Sequence, residues 1–169
     1  MNILKVEPLT AEAFADFGDV IETGRNKSFE INYGMADRYH ALAKVDTGSG
    51  EGYPVISLVD SKKYKMPQKV KIVERHPLGS QAFIPRDKIP FIVVVAKAGD
   101  NIQASQLHAF ITNGEQGINY YPGTWHGLLL TPFDAMSFIC VDRDGVGENC
   151  EEFHFSDQDQ YTLGMNLKL

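Results

Sequence analysis

Read as a β-strand, the stretch Val70 to His76 puts Val70, Ile72, Glu74 and His76 on one face and Lys71, Val73 and Arg75 on the other. A carboxylate and an imidazole then share a surface with aliphatic neighbours. If that surface faces the interior, the two groups are partly desolvated beside each other, a setting that shifts pKa values and suits proton transfer. The next apolar run brings Gln81 and Phe83 onto one face. Further along, the Pro122-Gly123 turn sets His126 at the start of another strand. His76, His126 and Glu74 can exchange protons. Two imidazoles and a carboxylate are equally a workable ligand set for zinc, nickel, manganese or iron.

The elements that must position these groups belong to an ordinary globular chain. Its 169 residues are 43% hydrophobic and 22% charged, enough to bury a core as a single domain, 1–169, without disulfide or metal staples. With 16 basic against 22 acidic side chains the net charge is -6, and no run of Lys or Arg is long enough to track a phosphate backbone, so nucleic acid is excluded as a partner. The opening MNILKVEPLT has no basic region followed by an apolar core, and the longest apolar runs, such as Phe91 to Ala96, are strand-length. Neither export nor a membrane span is expected, and the location expected is cytoplasmic. Cys140 and Cys150 stand in no CxxC arrangement and read as reduced thiols.

Thr10 can cap a helix running through Phe17, with Glu12 near its positive end and Gly18 just past its finish. From there the chain is a succession of short β-rich runs at 19–22, 29–32, 39–45, 54–60, 69–76, 81–85, 91–96, 107–111, 118–121, 128–130 and 135–142, punctuated by Gly and Pro. Many short strands imply a sandwich or barrel. The acidic stretch Glu148 to Asp159 reads as a solvated terminal extension without chemistry.

Glu74-x-His76-x4-Gln81, followed by Gly117-x4-Pro122-Gly123-x2-His126, resembles the two sequence motifs of the cupin superfamily. The departures are informative: Glu74 stands where a metal-binding cupin has its first His, and Gln81 where it has its Glu. The longer words Glu74-Arg-His-Pro-Leu-Gly-Ser-Gln-Ala-Phe-Ile-Pro85, Phe110 to Tyr120 with Trp125-His126, and Val141-Asp-Arg143 look like the ureidoglycolate lyase family. Phe14 to Glu22 and Asn32 to His40 extend that resemblance along nearly the whole chain. It implies a mostly β fold, a cupin-type, jelly-roll-like antiparallel barrel with a short N-terminal helix. It also implies a homodimer and cleavage of (S)-ureidoglycolate to glyoxylate and urea in allantoin and purine breakdown. A divalent metal, nickel by resemblance, is the one cofactor suggested; no nucleotide, flavin or haem is.

That substrate is a carbinolamine with a carboxylate on the same carbon, so cleavage needs a proton acceptor, a proton donor and a group that fixes the carboxylate. His76, His126 and Glu74 serve the proton transfers. Arg38, Arg75 or Arg143 can clamp the carboxylate, Gln81 can bond the ureido group, and Tyr120 can line the pocket. Each has a plainer role open to it: Arg75 points away from Glu74 and can pair on the surface, Arg38 and His40 can lie on a solvated edge, Asp142 and Arg143 can form a strand-end ion pair, and Tyr120 can be core. His108 and His154 read as ordinary histidines. Two rival functions remain open, another metal-dependent cupin enzyme such as an epimerase or oxygenase, and a non-catalytic small-molecule binder.

Overall fold

Six consecutive residues, Phe91 to Ala96, are fully buried. A strand alternates its side chains between two faces, so both faces here must be covered. The computed structural model, which describes residues 2–25 and 28–164, provides the cover. In chain order its elements are β1 (Asn2–Leu4), β2 (Val6–Pro8), the single-turn helix α1 (Ala11–Phe14), β3 (Gly18–Ile21), β4 (Ser28–Ile31), β5 (Ala36–Tyr39) and β6 (Tyr53–Ser61). There follow β7 (Lys69–Val70), β8 (Ile72–Arg75), β9 (Gln81–Pro85), β10 (Ile92–Ala96) and a 3-10 turn at Ala104–Gln106. The chain continues with β11 (His108–Ile111), β12 (Gly117–Tyr120), β13 (Trp125–His126), β14 (Met136–Asp144), β15 (Glu151–His154) and β16 (Tyr161–Leu163).

A six-stranded sheet ordered β15-β8-β13-β10-β11-β2 packs face to face with a five-stranded sheet ordered β3-β12-β9-β14-β6. Val93, Val95 and Phe110 of the first sheet meet Phe83, Ile118, Tyr120 and Phe138 of the second, together with Phe14 and Phe17. On the other side of the six-stranded sheet, Ile92, Val94, Ala96, Val73 and Trp125 pack beneath Leu4, Val70 and Leu163 of a small sheet ordered β1-β16-β7. The fold is therefore the mostly β, largely antiparallel sandwich that the sequence implies, with one short helix near the N-terminus. Among the described residues the two large sheets do not close into a barrel; β15, β2, β3 and β6 remain their edges.

Phe138 is the centre of the inter-sheet core: it is 0% exposed and meets Phe91 and Phe83 edge-on at 5.0 and 6.3 Å between ring centroids. Phe138→Ala is expected to cost about 3–5 kcal/mol, read from urea unfolding midpoints. A loss under about 1 kcal/mol would mean that this core is loosely packed.

Several elements differ from the sequence reading, each for a physical reason. The helix ends at Phe14, not Phe17. Phe17 N–H bonds the Phe14 carbonyl in a tight turn that sends both rings inward, and Gly18 must then enter the sheet beside β12. A Cβ on Gly18 would fall 2.0 Å from the Asn119 carbonyl oxygen. The run 69–76 is two strands: alternation breaks at Lys71, so β7 joins the small sheet and β8 the large one, and Val70 and Val73 enter the same core. The expected strand 39–45 ends at Tyr39, and the one at 128–130 is only a bridge between Leu130 and Ile92, the strand lying earlier at β13. Glu148 to Asp159 is not a plain extension: β15 pairs with β8 along four residues, from Glu151 opposite Arg75 to His154 opposite Ile72.

Candidate active site

Glu74 on β8 lies directly opposite His126 on β13, so the two side chains rise from one face of the sheet. The turn before β13 holds them in register: Gly123, at φ 78°, donates its N–H to the His76 carbonyl at 2.9 Å. His76 Nδ1 stands 2.6 Å from the Asn149 carbonyl oxygen, which only accepts, so the ring carries its lone pair on Nε2. His126 Nδ1 faces the Gly127 carbonyl at 3.2 Å with the same consequence. Both Nε2 atoms are buried and have no hydrogen-bond partner.

Glu74 Oε1 is 4.0 Å from His76 Nε2 and 3.9 Å from His126 Nδ1. The imidazole centroids are 5.2 Å apart, and Tyr120 stacks on His126 at 4.3 Å with an interplanar angle of 2°. Burial, reinforced by the neighbouring His76, pulls His126 down from 6.5 to about 3, so it is neutral at working pH. Burial and the Glu74 charge push the Tyr120 hydroxyl above its ordinary range, leaving it a donor.

The depressed His126 has a stability signature. Between about 3 and 6.5 the unfolded chain binds a proton at this position that the folded chain does not, so its contribution is complete above 6.5 and declines as pH falls toward 3. In metal-stripped protein the urea midpoint is expected to fall from pH 7 to 5.5 more steeply than in His126→Asn. Parallel slopes would show that His126 is not held neutral by the fold.

A cavity of about 520 Å³ opens over the cluster, bounded by Glu74, Phe83, Tyr120 and His126 and, from the end of β6 onward, by Asp60, Lys62, Lys63 and Tyr64. Of the residues singled out from sequence, Glu74, His76, His126 and Tyr120 come together. Gln81, opposite Tyr120 in the sheet, donates from Nε2 to Asp142 at 3.2 Å and leaves a buried Oε1 without a partner.

The three arginines lie elsewhere and do not line this cavity. Arg75 points to the opposite face, 4.7 Å from the Trp125 ring centroid, and bonds Glu151, Asp100 and the Gly99 carbonyl. Arg143 is 9% exposed and donates to the Thr47 and Val146 carbonyls, fastening loops at Gly52 and Gly79. Arg38 is exposed on the two-stranded ribbon β4-β5, which bonds to neither large sheet. Sequence reasoning passed over Asn149, because a backbone carbonyl has no residue-type signature, and over Lys62 and Lys63, which belong to no motif.

The family model of ureidoglycolate lyase matches residues 1–162. A ureidoglycolate lyase of Pseudomonas aeruginosa strain LESB58 is 50% identical over 163 residues, covering 96% of each chain. One of Azotobacter vinelandii strain DJ is 45% identical, covering 96% of this chain and 98% of its own. The chain belongs to the ureidoglycolate lyase family. Among solved structures, a dTDP sugar isomerase from Desulfovibrio desulfuricans G20 aligns over 84% of this chain and 85% of its own, at 12% identity and a TM-score of 0.45, a likeness too slight to bear on activity.

In this member of the ureidoglycolate lyase family the donor set fits a divalent ion. Glu74, His76 and His126 each offer a ligand atom, all within 4.8 Å of one another, and the two imidazoles have unpartnered lone pairs. Gln81 is no part of that set. No helix among the described residues is long and apolar enough to cross a membrane.

Proposed function

We propose that the chain, as one domain over 1–169, cleaves (S)-ureidoglycolate to glyoxylate and urea in allantoin and purine breakdown, as a cytoplasmic homodimer. The observation that carries the reading is the clustering of Glu74, His76 and His126, with Glu74 and His126 bordering one cavity, in a chain 50% identical to a ureidoglycolate lyase.

The reaction moves one proton from oxygen to nitrogen on the same carbon: the hydroxyl loses it, the C–O bond becomes C=O, the C–N bond breaks, and urea leaves with the proton. A single carboxylate that accepts and then returns the proton balances the step, and Glu74 is that carboxylate. His76 and His126 present unpartnered Nε2 atoms beside that carboxylate, acceptors for the substrate's N–H groups. The buried Gln81 Oε1 suits a ureido N–H. Glu74, His76 and His126 are also the residues that would hold a divalent ion, which when bound supplies Lewis acidity at the substrate hydroxyl. Pairing of two chains is supported by β6, an outer strand with one open edge on which Ile56 and Leu58 are 77% and 68% exposed.

The test is incubation of metal-analysed protein with racemic ureidoglycolate, quantifying glyoxylate, urea and ammonia with and without chelator. Equal glyoxylate and urea with no ammonia are expected, with the rate falling on chelation; sedimentation is expected to give the mass of two chains. Glyoxylate no faster than the spontaneous background would sink the reading and favour a binding module, and oxygen consumption would favour an oxygenase.

A further inference from the structure

We propose that Lys62 and Lys63 are the carboxylate-binding element of the cavity, selecting small 2-hydroxy carboxylates over their uncharged analogues; the inference rests on the reading of this site as the ureidoglycolate site. An anionic substrate entering it approaches the Glu74 carboxylate in a chain of net charge -6. A cation along the walls offsets the repulsion between the substrate carboxylate and the Glu74 carboxylate. Arg75 is engaged with Glu151 and Asp100, Arg143 with loop carbonyls, and no arginine borders the cavity among the described residues. The cations that border the cavity are Lys62 and Lys63. Among the described residues neither has an ion-pair partner, whereas Lys5, Lys88 and Lys97 do.

The backbone under the two lysines is fixed, although their side chains are exposed. Thr131, 0% exposed, donates from Oγ1 to the Lys62 carbonyl at 2.8 Å, lies 3.2 Å from Ser61 Oγ, and accepts at its own carbonyl from Tyr64 N–H at 3.0 Å. This clamp holds residues 61–64 at the cavity's border, while the ammonium groups stay free to meet an anion. The substrate is then bound with its carboxylate toward the lysines and its hydroxyl-bearing carbon toward Glu74. Such a pairing acts mainly on binding, so it governs KM more than kcat.

Truncating the side chains leaves the Thr131 clamp in place, because the clamp uses backbone oxygen. The experiment compares wild type, Lys62→Ala/Lys63→Ala, and Lys65→Ala, an exposed lysine of the same segment that does not border the cavity. Glycolate and glycolamide, the same shape with and without the charge, are titrated by NMR, and steady-state kinetics on ureidoglycolate run alongside. Wild type and Lys65→Ala are expected to prefer glycolate by about tenfold or more. The double variant is expected to lose that preference, with KM rising about tenfold or more and kcat falling less. A preference that survives in the double variant, or is absent from wild type, would overturn the proposal. Lysine-dependent glycolate binding in a protein that releases no urea would instead remove the ureidoglycolate reading and leave the carboxylate site standing.

Discussion

Glu74→Gln is expected to reduce kcat on ureidoglycolate by about 10²–10⁴-fold with the fold unchanged. The amide has the shape of the carboxylate but cannot accept the hydroxyl proton, and among the described residues no other carboxylate lies as near both imidazoles as Glu74, at 3.9 and 4.0 Å. The fold is spared because Glu74 anchors nothing: the Cys150 thiol, at 4.0 Å, is its one hydrogen-bond partner among the described residues. The measurement is kcat against thermal midpoint for the purified variant. A rate within a few-fold of wild type would remove Glu74 from the proton transfer and leave that role to His76.

His126→Ala is expected to lower kcat/KM at least about a hundredfold, by a different route. It deletes the buried Nε2 acceptor and the ring against which Tyr120 stacks, and His126 is 2% exposed. A stability loss on the order of 2 kcal/mol accompanies it, from the cavity and the missing stack. His126→Phe separates the two effects, since it keeps a ring in place and lacks the acceptor. Both variants should be inactive, and His126→Phe should regain much of the stability lost in His126→Ala. Activity in His126→Phe would reduce His126 to a packing residue.

The parts of the fold legible in the sequence are those where one local rule decided the outcome. The strand Gln81–Pro85 is bounded by polar and Pro/Gly neighbours, and it forms as read. The Glu74-x-His76 spacing and the turn before His126 placed all three groups together, because strand alternation and a tight turn are local geometry. What escaped depends on partners distant in sequence. Lys71 gives no sign that β7 and β8 diverge to different sheets; the divergence reflects the competing pull of β16 on Val70 and of β13 and β15 on β8. The acidic 148–159 stretch looked solvated because β15 is an exposed edge, polar on its surface yet bonded through its backbone. Arg75 was rightly placed opposite Glu74, but nothing local announced that Trp125, Glu151 and Asp100 would meet there. Lys62 and Lys63 fell outside every pattern, since their position is set by a contact with Thr131.

The bond from His76 to the Asn149 carbonyl joins positions 73 residues apart, and the strand carrying Asn2 pairs with the one carrying Tyr161. Contacts of such long sequence separation form only after the entropy of closing large loops has been overcome. The histidine tautomer that the chemistry requires is therefore specified late in folding, once the C-terminal strands have docked. A partly folded chain can possess β8, β13 and every reactive side chain and still leave His76 free to rotate, so on a refolding time course catalytic competence trails secondary structure.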